Sequence, residues 1–223
     1  MNDSCIISHY IQNPMLIDNF KFDLRIYVAL TSIDPLRIYV YNEGLVRLCT
    51  EPFNLKNIED KFSHLTNYAI NKKNKKFIQT EILENDGNGS KWSLTAFNKY
   101  LAGMKINLHL FWSKIYDVII KSLLSVEPLI SSAAKKYDSN CRNCFELFGY
   151  DILIDNELKP WIMEVNLSPS LSTDSKLDFK IKSNLVKDIL NLAGIYIFDR
   201  KKNSKIQKGI IFVQSITKCA QNL

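Results

Sequence analysis

The sequence contains neither a P-loop nor a GxGxxG run, which excludes a Walker-type nucleotide-binding protein and a Rossmann enzyme. No Ser or Cys sits in a nucleophile elbow or beside a His suited to activate it, so nothing points to covalent acyl-enzyme chemistry. The five Cys, at positions 5, 49, 141, 144 and 219, are odd in number and unevenly spaced. No basic stretch followed by a long apolar run opens the chain. A disulfide-rich secreted scaffold is therefore excluded, and a reducing cytosolic or nuclear compartment is expected. Cys141 and Cys144 form a lone CxxC with no second ligand pair, and read as ordinary thiols rather than a zinc site. The longest apolar stretch, Leu108 to Ala134, is interrupted by Lys114, Asp117, Lys121, Glu127 and Pro128, so no membrane partner is expected. Internal repeats and low-complexity segments are also missing.

What is present is a globular composition. Hydrophobic residues make up 46% of the 223, with three Trp, ten Tyr and twelve Phe, enough for a sizeable core and incompatible with global disorder. The formal charge of +6 permits an anionic partner without selecting one. Residues 6–12 read as a short strand ending at Asn13-Pro14. From Lys21 to Ser32 the chain alternates, with Phe22, Leu24, Ile26, Val28 and Leu30 on one face and Lys21, Asp23, Arg25 and Tyr27 on the other: a half-buried strand with charge on one side. After a turn at Asp34-Pro35, residues 36–41 and 45–50 read as a hairpin around Asn42-Glu43-Gly44. The polar stretch Asn71 to Ser90 reads as a mobile loop. Ser93 is positioned to cap a helix to about Leu101; a second helical stretch spans Leu108 to Tyr137 with a break expected before Pro128. A hairpin over 145–154 and 159–166 follows, then a helix from about Leu177 to Leu192 stopped by Gly194. The pattern is α+β, an antiparallel sheet flanked by helices.

The last hairpin carries the chemistry. Glu164 and Asn166 are two apart and share a face of their strand. An even-numbered loop would put Asp151 on that face too, leaving Ile152, Ile154, Met163 and Val165 to pack on the core. Three oxygen donors on one rigid ribbon suit a hard cation such as Mg²⁺ with phosphates completing its shell. A solvated polar sheet face is the other reading, although Asp and Asn are poor strand formers. The loop Asn166-Leu-Ser-Pro-Ser170 then leaves the strand with turn residues and hydroxyls, as the rim of a nucleotide site would, or simply as a tight turn. Lys21, Asp23 and Arg25, with Arg47 on the adjacent strand, form a second charged cluster, suited to phosphate and carboxylate recognition or to ion pairing on a solvated face. His64 reads as a hydrogen-bonded structural residue beside Thr66 and Asn67.

Six stretches in order, Lys21-Phe-Asp-Leu-Arg-Ile-Tyr-Val28, Asp34-Pro-Leu-Arg-Ile-Tyr39, Gly44-Leu-Val-Arg47, His64-Leu-Thr-Asn-Tyr68, Phe148-Gly-Tyr-Asp151 and Lys159-Pro-Trp-Ile-Met-Glu-Val-Asn-Leu-Ser-Pro-Ser170, resemble the tubulin tyrosine ligase-like family over about residues 6–195. Tyr68, Lys72-Lys73 and Asn191-Leu-Ala-Gly194 look closer to its glutamate ligases than to its tyrosine or glycine ligases. The resemblance implies an ATP-grasp fold, of which residues 1–198 would be the C-terminal portion. The upstream lobe would be absent, and 199–223 would be a basic appendage. It implies that Asp151, Glu164 and Asn166 hold Mg²⁺, that Lys21, Asp23, Thr66 and Asn67 contact ATP, that His9, Tyr10 and Ile11 form the adenine hinge, and that Met163 packs on the base. Arg25 and Arg47 would face the phosphates and the acceptor carboxylate. The implied reaction adds free glutamate to glutamate side chains of tubulin C-terminal tails through an acyl phosphate, in the cytoplasm on the microtubule cytoskeleton. The alternative is a truncated, non-catalytic module that binds acidic tails. Nucleic-acid binding through Lys72–Lys76 ranks below both, because no aromatic platform is interleaved with the charge.

Overall fold

A computed structural model describes residues 7–79, 86–137 and 145–194. Its centre is an antiparallel sheet in the order β4-β3-β2-β5-β6, built from β2 (Phe20–Ile33), β3 (Leu36–Leu48), β4 (Lys91–Ser93), β5 (Glu146–Ile154) and β6 (Pro160–Leu167). A two-residue strand β1 (Leu16–Ile17) pairs with the start of β2.

The alternation in β2 decides what each face does. Phe22, Leu24, Ile26 and Val28 are fully buried and pack with Tyr150 and Ile152 under α3 (Leu94–Gly103) and α4 (Leu108–Tyr137), where Phe97, Phe111, Ile115 and Ile119 face inward. Fully burying such side chains contributes about 1.5–3 kcal/mol each, so this face anchors the fold. On the opposite face, Tyr27, Ala29 and Leu45 are covered by Leu177, Ile181, Leu185 and Ile189 of α5 (Lys176–Leu192). The same face continues past α5 into Lys21, Asp23, Arg25, Arg47 and Asp151. Among the described residues no helix is long and apolar enough to cross a membrane.

Several caps and turns match their sequence signals. The Ser93 hydroxyl accepts from Ala96 N at 3.0 Å and starts α3. Gly194 adopts φ 71° just beyond α5, the left-handed stop that glycine takes without a Cβ penalty. Other elements depart from expectation. Residues 7–11 form no strand, because no neighbouring strand takes up their backbone groups; Ile7 is 92% exposed. The expected hairpin around Asn42-Glu43-Gly44 is instead a bulge inside one long β3, which pairs with β2 from Leu36 to Leu48. Gly44 permits it: a Cβ there would lie 2.4 Å from the Arg25 carbonyl oxygen. The expected turn at Asp34-Pro35, whose peptide bond is cis, is the one that joins β2 to β3. Helix α4 runs through Pro128 without ending. Proline leaves the Leu124 carbonyl in the preceding turn without its donor, and Leu124 is 53% exposed, so water can take it.

Candidate functional site

Asp151 stands directly opposite Glu164 across the β5–β6 pair, and Gly149 opposite Asn166, so all three oxygen donors share the sheet face that carries Asp23 and Arg47. The expected face is observed, but the geometry behind it differs. Ile154 pairs with Pro160, which leaves an odd loop of five residues, Asp155 to Lys159, and a register shift between Asp151 and Ile152 restores the parity. Met163 is the residue displaced by that bulge. It is 55% exposed, and Val165 is 43% exposed, so neither packs into the core as expected on what is an outermost strand.

The charged residues of β2, β3 and β5 are buried against one another rather than solvated. Thr66 donates its hydroxyl to Asp23 Oδ2 at 2.6 Å, and Asp23 receives both Arg47 Nε, at 2.7 Å, and Arg47 Nη2. Arg47 Nη2 also reaches Asp151 Oδ2 at 2.8 Å. Arg25 closes the series with Nε 2.5 Å from Asp151 Oδ1 and Nη2 3.1 Å from Oδ2. Asp23 and Asp151 are 5% and 4% exposed, and two guanidinium forks compensate both carboxylates at once. Burial pushes the Asp151 carboxyl upward, but the bond from Arg25 and the charges of Arg47 and Arg25 outweigh it and hold it below the usual carboxylate range.

At the start of β2, Lys21 Nζ lies 3.4 Å from the Tyr10 hydroxyl and 4.8 Å from its ring centre. The same hydroxyl is 2.7 Å from His64 Nδ1, while His64 Nε2 faces the carbonyls of Asn54 and Asn57 at 3.2 and 3.0 Å. Carbonyls only accept, so Nε2 carries the proton and, in the neutral ring, Tyr10 donates to Nδ1. Both ring nitrogens are thereby used, and His64 ties the segment before β1 to the loop after β3. Burial lowers the Lys21 amine below an ordinary lysine, which favours a compensating anion beside it. Asn67 is exposed and caps α2 (Tyr68–Asn71) without a side-chain hydrogen bond; His9 is exposed too.

A second charged cluster escaped the sequence reading. Lys91 of β4 is the cross-strand partner of Arg47, and its Nζ lies 2.7 Å from Asp178 Oδ2 and 4.2 Å from the centre of the Tyr68 ring. Lys182, one turn along α5, places Nζ 3.5 Å from Asp178 Oδ1 and 2.5 Å from the Ser172 carbonyl. Lys91 and Lys182 thus share the buried Asp178 carboxylate. Nearby, the Tyr27 hydroxyl is buried and has no hydrogen-bond partner among the described residues. A small concavity lined by Tyr68, Phe77, Gln79, Lys91, Ser175 and Leu177 opens beside the cluster. The available sequence signal was Asp178 and Lys182 on the apolar stripe of α5, where a solvated pair has no place.

The model of the tubulin-tyrosine ligase family matches residues 1–204. Similar proteins include the mouse tubulin polyglutamylase TTLL5, 44% identical over 201 residues, and the mouse tubulin monoglutamylase TTLL4, 46% identical over 194 residues. These alignments cover 89% and 86% of this chain but 15% and 16% of those proteins. The human probable tubulin polyglutamylase TTLL2 is 46% identical over 191 residues, covering 86% of the chain and 31% of that protein.

The chain belongs to the tubulin-tyrosine ligase family. It spans about one-sixth of the length of the TTLL5 and TTLL4 relatives.

In this family member the donor set fits a hard divalent cation. Among the described residues no three His, Cys, Asp or Glu side chains come together, so a zinc-like or all-carboxylate cage is not formed. Two carboxylates joined by one carboxamide is a set that Mg²⁺ accepts when phosphates and water complete its shell. Asn166 gives its Nδ2 to the Gly149 carbonyl at 3.3 Å, which leaves Oδ1 as its free donor. Glu164 is exposed, while Asp151 is held by both arginines.

Proposed function

We propose that this chain carries the metal–nucleotide half of an ATP- and Mg²⁺-dependent ligase that adds free glutamate to glutamate side chains of tubulin C-terminal tails. Residues 1–198 are read as the C-terminal part of an ATP-grasp domain; the basic appendage expected at 199–223 lies outside the described residues. The single observation behind this is the common face of Asp151, Glu164 and Asn166 beside an arginine pair forked onto carboxylates, in a chain similar to glutamylases along most of its length.

Each group has a chemical task. Asp151, Glu164 and Asn166 hold Mg²⁺, which when bound neutralises charge on the nucleotide's terminal phosphates. Lys21, Thr66 and Asn67 line the nucleotide, with Asp23 fixing Arg47 between them. His9 to Ile11 supply backbone groups to the adenine edge, and exposed Met163 offers an apolar surface to the base. Arg25 and Arg47, already forked onto carboxylate oxygens, are preorganised for phosphoryl and carboxylate oxygens at no further cost in side-chain order.

In the reaction, an acceptor carboxylate oxygen takes the terminal phosphoryl group of ATP and ADP leaves. The amine of the incoming glutamate then attacks the acyl carbon; a C–N bond forms, the C–O bond to phosphate breaks, and phosphate leaves with the electron pair as the amine loses a proton. Lys91 and Lys182, sharing Asp178 beside Tyr68, are suited to the carboxylates of that incoming dicarboxylic amino acid. Exposed Lys72 and Lys73 steer the acidic tail.

The experiment is glutamate incorporation into an acidic tubulin-tail peptide, by the wild type and by Glu164→Gln. Mass increments of glutamate that need ATP and Mg²⁺ and vanish in the folded variant support the proposal. Incorporation retained in full by Glu164→Gln overturns the metal assignment. Peptide binding with neither incorporation nor nucleotide binding favours a non-catalytic module for acidic tails.

A further inference from the structure

On the site face of β5, a side chain at Gly149 would obstruct the chain itself. A Cβ built there meets Pro169 Cβ at 2.8 Å, Pro169 Cγ at 3.4 Å and Arg25 Cδ at 3.4 Å. Pro169 is buried, so the loop that leaves β6 folds back across the sheet and seats its ring on this bare patch of backbone. The fold-back depends on Ser168, which adopts φ 54°, a left-handed conformation that non-glycine residues rarely take and that surrounding contacts must hold. Two functional side chains meet at the same patch. Asn166, the cross-strand partner of Gly149, gives its Nδ2 to the Gly149 carbonyl, and the Arg25 stem runs alongside.

We propose that Gly149 and Pro169 form a positioning device: the proline ring seated on the glycine locks the loop after β6 so that Asn166 turns Oδ1 toward the metal and Arg25 keeps its fork on Asp151. This deepens the metal–nucleotide assignment and rests on it. The role assigned to Gly149 and Pro169 is exerted through Asn166 and Arg25. Residues that orient a metal ligand from behind typically change metal affinity 10–100-fold when altered.

The test is a set of four proteins, wild type, Gly149→Ala, Pro169→Gly and the double variant, compared by thermal melting and by the Mg²⁺ midpoint for ATP binding in titration calorimetry. Gly149→Ala is expected to melt lower and raise the Mg²⁺ midpoint at least tenfold. Pro169→Gly, which loosens the loop without a clash, is expected to raise the midpoint by a similar factor with little change in melting. In the double variant the clash is gone, so melting recovers while the Mg²⁺ midpoint stays high. Recovery of both together would mean that the contact is only steric packing, and overturns the proposal. So does an unchanged midpoint in Pro169→Gly, which stands as the decisive variant if Gly149→Ala does not fold. A wild type that binds no Mg²⁺–ATP overturns the underlying assignment and the positioning role together, whereas a binding wild type with unaffected variants overturns the positioning role alone.

Discussion

Asp151 and Glu164 face each other as cross-strand partners on β5 and β6, yet only Asp151 is neutralised, by Arg25 and Arg47, while Glu164 is exposed. Like charges directly opposite on a sheet face destabilise it, by about 0.2–1 kcal/mol. Glu164→Gln is therefore expected to melt at or slightly above the wild-type temperature while losing metal-dependent function. Thermal melting without ligand checks it, and a clear drop in stability would mean that Glu164 has a structural partner.

Removing the carboxylate at 151 should do the reverse. Asp151→Asn leaves the buried Arg47 and half-buried Arg25 guanidinium groups without their shared partner, at a cost of about 3 kcal/mol. The carboxyl is held below its unfolded value, so the stability it contributes is complete above about pH 4 and is lost as pH falls from there through the folded value. Urea midpoints of wild type and Asp151→Asn should differ widely at pH 7 and converge below about pH 4.

The parts of this site that sequence made legible follow period two. Lys21, Asp23 and Arg25 alternate with buried apolar residues, and Glu164 and Asn166 flank the apolar but exposed Val165, so their faces were readable without coordinates. What sequence hid was register and long-range pairing. The bulge at Met163 reversed the loop parity, and Gly44 read as a turn because its close approach to the Arg25 carbonyl is a tertiary fact. Residues 7–11 carry strand-forming side chains, but a strand exists only where a neighbour pairs with it. Lys91 became a site residue only once β4 was placed beside β3 and α5 across the face, which brings Asp178 to it over 87 positions of chain.

On the proposed function, the lysine cluster lets amino-acid binding be tested apart from nucleotide binding. Lys91→Met is expected to raise the KM for glutamate roughly tenfold to a hundredfold, since a charge-assisted hydrogen bond contributes about 1.5–3 kcal/mol. The Mg²⁺–ATP affinity should stay within about twofold. Steady-state kinetics with each substrate varied in turn check the split. Equal effects on both would place Lys91 in a general structural role.

Tyr27 offers a test of the buried polar inventory. Its hydroxyl has no hydrogen-bond partner among the described residues, and burial pushes the phenol up to about 12. Tyr27→Phe removes an unsatisfied buried group and is expected to leave stability unchanged or raise it by about 1 kcal/mol. A loss of more than about 1 kcal/mol in urea denaturation would show that the hydroxyl is satisfied in solution.

Cys49, 2% exposed, has its thiol pushed up to about 12 by burial. At pH 7.5 it should resist iodoacetamide in the native protein and label fully in urea, as resolved by peptide mass spectrometry.

The most direct measurement is calorimetric titration of ATP into this chain with Mg²⁺, with EDTA, and with Glu164→Gln in place of the wild type. Binding that needs Mg²⁺ and weakens at least tenfold in the variant is expected. Nucleotide affinity indifferent to both the metal and Glu164 would contradict a cation held on the shared face of β5 and β6.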